Sequence, residues 1–111
     1  MTCDRLVQSQ LDPLRRQADR LYVVTRSDLR PAGLRTAQVG HACIEWTVAY
    51  GRPPETLVVL QVETEKHLHA LLDVLGGRTV AFREPDLDGQ LTAVATGVEN
   101  RRHVSQLRLL T

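Results

Sequence analysis

The chain is short of most features that would mark a protein at a glance. It has two cysteines, Cys3 and Cys43, too few for a disulfide framework, so reduced thiols in a cytoplasmic protein are the expectation. Aromatic residues are scarce at 4% of the chain, which argues against a base-stacking surface for single-stranded nucleic acid; Trp46 and Tyr50 read as core. No apolar run approaches membrane-spanning length and the first residues carry no signal-peptide core, so no membrane partner is expected. An excess of one charge is missing too, since the formal net charge is +1 and no global basic field announces a nucleic acid. Lysine is nearly absent, Lys66 being the sole one, and compositional bias accounts for the arginines better than selection for phosphate contacts does. Internal repeats, a phosphate-cradling glycine loop, a nucleophile elbow and a zinc pattern are all lacking. His67 and His69, two apart on a helix, face different directions and make a poor metal pair. Neither a metal nor a cofactor is expected.

What is present is a pattern of short strands and helices over one domain. Residues 1–19 are polar and read as an arm or a short helix after Pro13, and residues 20–111 as the folded unit. "LYVVTR" (21–26) and "TLVVLQV" (56–62) are apolar, β-branched runs of the kind buried on both faces of a parallel sheet, with "TVAFRE" (79–84) and "LTAVATGV" (91–98) as third and fourth strands. A helix from about Leu34 to Tyr50, stopped by Gly51 and "RPPE", separates the first two strands. A second helix follows a Thr64 N-cap, with Leu68, Leu71, Leu72 and Leu75 on one face and Gly76-Gly77 as its stop. The order is β-α-β-α-β-β, closed by "LRLL". It implies a single-domain α/β sandwich on a mixed four-stranded sheet, with helices packed on one or both faces.

On a helical wheel for residues 34–50, Val39, Cys43, Trp46 and Tyr50 fall together, and Ala37, Ile44 and Val48 form a second apolar sector. A helix so largely apolar is expected to pack on the sheet and against another element. Gln38, His41 and Glu45 form one narrow polar stripe, which is either a solvated edge, with His41 paired to Glu45, or the wall of a cleft. Histidine titrates near neutrality, so His41 can serve as a base or proton shuttle. In α/β folds ligands sit outside the carboxyl ends of the strands. If the first and third strands are parallel, "RSDLRPAG" and "REPDLDG" share that edge. Arg26, Asp28, Arg30, Arg35, Arg83, Glu84, Asp86 and Asp88 would then gather near the start of the His41 helix, whose free N–H groups suit a phosphate or an oxyanion.

Residues 22–46, "YVVTRSDLRPAGLRTAQVGHACIEW", resemble the opening of the type-2 peptidyl-tRNA hydrolases. The matching letters are Arg26, Asp28, Leu29, Gly33, Ala37, Gln38, His41 and Ala42; the element order is similar over roughly residues 20–98, and "LRLL" is similar to the family's closing segment. The resemblance implies an α/β fold with a mixed four-stranded sheet, a frequent homodimer, and metal-free hydrolysis of the ester between a peptide and the terminal ribose of tRNA. Three positions depart from the family. Its lysine after the glycine is Leu34 here. Its aspartate after strand three falls at Glu84, with Asp86 two residues on. Its following threonine falls at Asp88, and Thr92 is the nearest threonine.

The reading that follows is a cytoplasmic peptidyl-tRNA (or N-blocked aminoacyl-tRNA) hydrolase in which water attacks the ester carbonyl. His41, Glu84 or Asp86 takes the proton, Gln38, Thr92 or helix amides stabilise the oxyanion, and Arg26, Arg30, Arg35 and Arg83 hold the phosphates of the tRNA acceptor end. The alternative is a non-catalytic RNA- or protein-binding module using the same crevice, favoured by the loss of the lysine. A third reading is a structural dimer whose polar stripe is simply wet.

Overall fold

The computed structural model of the protein describes residues 20–111; the expected N-terminal arm and Cys3 lie outside them. The described residues form an α/β fold around a mixed, open sheet of five strands. Strand β1 (Arg20–Arg26) leads to helix α1 (Ala32–Tyr50), β2 (Thr56–Val62), helix α2 (Glu65–Val74), β3 (Thr79–Glu84) and β4 (Gln90–Gly97). A short helix α3 (Arg101–Val104) and β5 (Arg108–Leu109) close the chain. The sheet order is β3-β4-β1-β2-β5. The fifth strand corrects the expected four: it pairs antiparallel with β2 through Leu60↔Leu109 and Gln61↔Arg108. Both its residues are exposed, so it carries no burial pattern a sequence could display.

Strand β1 is central, parallel to β2 and antiparallel to β4, and its residues from Leu21 onward are buried. Alternation divides it between two cores. Leu21 and Val23 pack with Val39, Ala42 and Trp46 of α1 and with Ala93 and Ala95 of β4. Tyr22 and Val24 pack on the other face with Leu68 and Leu71 of α2, Val94 and Val104. The molecule is thus layered, with α1 on one side of the sheet and α2 and α3 on the other. Because β4 is antiparallel to both β1 and β3, the carboxyl ends of β1, β2 and β3 share one edge.

Helix α1 begins after Pro31 with no side-chain cap on its first amides, and ends where Gly51 turns into the left-handed region (φ 88°) and returns its N–H to Thr47 O at 2.8 Å. Its second apolar sector does not meet another element among the described residues: Ile44 is 62% and Val48 77% exposed. Tyr50, read as core, is 39% exposed, whereas Trp46 is buried. Helix α2 has the expected Thr64 cap, whose hydroxyl accepts the His67 N–H, but it stops at Val74 before the glycine pair. At Gly97 a Cβ would lie 2.2 Å from Glu99 Oε1, so only glycine lets the Arg78–Glu99 pair close over the end of β4. No helix among the described residues is long and apolar enough to cross a membrane.

Candidate active site

The polar stripe of α1 straddles the edge of the sheet. Gln38 faces inward and is fully buried, while His41 and Glu45 face outward. A buried carboxamide needs partners, and Gln38 has two. Its Oε1 accepts the Thr92 hydroxyl at 2.7 Å, and its Nε2 donates to Glu84 Oε1 at 3.4 Å. The orientation follows from the chemistry: an ionised carboxylate only accepts, so the amide NH2 turns to Glu84 and the carbonyl oxygen to Thr92. Glu84 ends β3, half-buried, and its backbone carbonyl accepts from Gly89 at 3.0 Å across the tight 85–89 turn. His41 lies on Phe82, two residues before Glu84 on the same face of β3, with ring centroids 4.8 Å apart and planes 13° from parallel. That stack, rather than an ion pair with Glu45, is what holds the imidazole.

Thr92 reaches Gln38 by an irregularity. Partners along β3 and β4 run Phe82↔Ala93 and then Arg83↔Leu91, so Thr92 is an extra residue in β4. Strict alternation from Ala93 and Ala95, which face α1, would have sent it to the α2 side. The bulge instead turns its hydroxyl toward α1. Thr92 is itself fully buried, and its carbonyl accepts the Thr25 hydroxyl at 2.8 Å.

The arginines part company. Arg26 is 7% exposed and commits its guanidinium internally: Nε and Nη2 grip the two Asp28 carboxylate oxygens at 2.9 and 3.0 Å, and Nη1 donates to Gln90 Oε1 and Leu91 O. Arg35 donates to Leu29 O at 2.8 Å and to Thr111 O at 3.5 Å, tying the start of α1 to the C-terminal residues. Arg83 alternates with Phe82 and Glu84, so it stands on the opposite face of β3, away from Gln38. Arg30 is exposed and, with Arg108, Asp28 and Glu63, lines a crevice of about 430 Å3 at the carboxyl ends of β1 and β2. Asp86 and Asp88 are exposed on the 85–89 turn and make no contact with Gln38. The structure therefore brings Gln38, Glu84, Thr92 and His41 to one place, leaves Arg30 at a neighbouring crevice, and uses Arg26 and Arg35 as ties.

Three residues of this region carry little sequence signal. Phe82 is visible only as a strand residue two before Glu84. Arg108 belongs to a strand without an apolar pattern. Glu65, in the first turn of α2, accepts the Leu91 N–H at 2.8 Å and lies 3.5 Å from His69. That backbone hydrogen bond, helped by His69 and Arg26 and opposed by desolvation, holds its carboxyl below the ordinary range. Burial pushes the Cys43 thiol up, which disfavours a thiolate nucleophile. No cluster of metal-ligating side chains occurs among the described residues. A smaller cleft at the opposite end of the sheet is floored by Trp46, over which Arg78 lies at 5.0 Å while paired to Glu99 at 3.0 Å.

No known family model matches the chain, and no curated protein matches it.

Proposed function

We propose that the protein is a peptidyl-tRNA hydrolase-like esterase that uses water to cleave the bond between an N-blocked aminoacyl or peptidyl group and tRNA. The observation that carries the reading is the Thr92–Gln38–Glu84 chain of hydrogen bonds, which joins three residues far apart in sequence at the carboxyl edge of the strands, beside His41. In the resemblance these are the positions of the glutamine, the acid after strand three and the nearest threonine.

The burial divides their roles. Gln38 and Thr92 are fully enclosed, so they position Glu84 rather than meet an oxyanion. Thr92 fixes the carboxamide, and the carboxamide fixes one carboxylate oxygen, leaving the other to hold water. Glu84 or the exposed His41 takes the water proton, and that kind of general-base assistance contributes on the order of 10²–10⁴-fold. With the Leu34 N–H given to Pro31 O, the Ala32 and Gly33 amides at the start of α1 offer the oxyanion donors. Glu84 ends β3, and the Arg30–Arg108 crevice begins at the end of β1, two positions away in the sheet, and reaches β5, four positions away, roughly 10 to 20 Å at the usual strand spacing. That span suits an ester at one place and an acceptor-end phosphate at the other. Leu34, standing where the family has lysine, favours the second reading, a binding module for RNA or protein in the same crevice.

The test is release of an N-acetylaminoacyl group from tRNA by the wild type beside His41→Ala. On the esterase reading the wild type turns over and the variant loses roughly a hundredfold or more, the lower end of that range upward. Its folding stability stays within about 1 kcal/mol, since an exposed stacked ring contributes little more. A folded wild type without turnover refutes the esterase and leaves the binding module.

A further inference from the structure

At the bulge that turns Thr92 toward Gln38, β4 also runs past the end of its ladder with β1. On the β1 side, pairing with β4 ends at Thr25↔Ala93, so Leu91 and Thr92 have no partner residue on β1. Their backbone groups are buried and have to be satisfied by something else. Leu91 is held from both ends by charged side chains. Glu65 Oε2 accepts its N–H at 2.8 Å, and Arg26 Nη1 donates to its C=O at 3.1 Å. The same Nη1 fastens Gln90 at 2.9 Å, and Thr25 takes the Thr92 carbonyl. Arg26 is in turn locked by two bonds to Asp28. Charge-assisted hydrogen bonds of this kind are stronger than the neutral ladder bonds they replace. We propose that Arg26 and Glu65 are positioning residues that clamp the Leu91 peptide and thereby hold the bulge that aims Thr92 at Gln38.

The clamp works from the α2 side of the sheet, and the residues it serves lie on the α1 side. Without it, the 90–92 end of β4 can recover an unbroken ladder with β3 by slipping one residue, and a one-residue slip sends a strand's side chains to the opposite face. Thr92 would then turn away from Gln38, which would lose the donor that orients it. The bearing of the clamp on catalysis rests on the esterase reading, but its geometry does not.

The experiment is solution NMR of the full chain, reading the Gln38 side-chain NH2 signals, assigned by their loss in Gln38→Leu, and hydrogen exchange at the Leu91 amide. In Glu65→Ala the Gln38 signals move toward those of a free carboxamide, and Leu91 exchanges at least about tenfold faster. Glu65→Gln keeps an acceptor oxygen at the same reach and leaves the Gln38 signals in place, whereas Glu65→Asp, one methylene short, gives an intermediate shift. Unmoved Gln38 signals in folded Glu65→Ala and Glu65→Asp overturn the proposal. Signals that move in a protein whose wild type hydrolyses nothing uphold the clamp and remove only the esterase. Where the wild type does turn over, Glu65→Ala lowers kcat with KM little changed and Glu65→Gln restores it; a loss confined to KM counts against positioning.

Discussion

Replacing Thr92 by valine removes one hydroxyl from a fully buried side chain and leaves its shape nearly intact. The β-branched methyl keeps the bulge packed, so the change removes the hydrogen bond to Gln38 Oε1 at 2.7 Å, together with the longer contact to Phe82 O at 3.4 Å. Net, such a bond contributes about 1 kcal/mol, but the larger consequence is a buried carbonyl oxygen left without a donor, which costs about 1–3 kcal/mol. For a domain of this size, Tm falls by roughly 4–8 °C for each kcal/mol. Gln38→Leu should cost less than Thr92→Val for a comparable loss of contact, because the stranded Thr92 hydroxyl can turn to Phe82 O, 3.4 Å away. Removing both partners leaves neither end of that bond orphaned, and the lost donor to Glu84 is common to Gln38→Leu and the double variant, so the double should be more stable than the sum of the singles by about 1 kcal/mol or more. Urea denaturation followed by circular dichroism on the four proteins measures this. A Thr92→Val variant within about 0.5 kcal/mol of wild type, together with an additive cycle, would mean that the buried pair is not the structural unit described here.

Two further outcomes follow from charges elsewhere. Partial desolvation opposes ionisation of Glu99, but its bonds to the Arg78 guanidinium and backbone N–H outweigh it and bring the pKa from the ordinary 4.5 down to about 2. A lowered folded-state value stabilises above 4.5 and is lost as pH falls toward 2, so Glu99→Gln should flatten part of the acid limb of stability; Glu65, also lowered, keeps the rest, and an unchanged limb in Glu99→Gln refutes the assignment. If the esterase reading holds, Arg30→Ala and Arg108→Ala each weaken tRNA binding and reduce the slope of log affinity against log salt by about 1, and a slope unchanged in both removes the crevice from phosphate contact.

The elements that bury a periodic face were legible in the sequence. Strands β1 to β4 and helices α1 and α2 fall within a residue or two of their expected bounds, because alternating or helical burial writes itself into residue type. β5 was not legible, since two exposed residues on an edge need only backbone partners. The stripe of Gln38, His41 and Glu45 was visible on a wheel. A wheel gives angle but not depth, so it could not show that the sheet edge passes between Gln38, wholly buried, and His41, outside. Arg26 read as a phosphate-binding residue at the end of the first strand. What buries it is a set of acceptors at Asp28, Gln90 and Leu91, two of them more than sixty residues away.

Thr92 shows why spacing alone misjudges such a site. Counted along the chain it stands too far after Glu84 to match a threonine that follows the acid closely, and counted by alternation it belongs with Val94 on the far side of the sheet. Both counts assume an unbroken ladder. The extra residue in β4 breaks it at the one place where Glu65 and Arg26 can take up the released Leu91 peptide. A hydroxyl is thereby delivered to Gln38 from a position that linear motif comparison would discard. For the esterase reading, the quantity that matters is the face on which a group arrives. In this chain that face is decided by two charged side chains that themselves never touch Gln38.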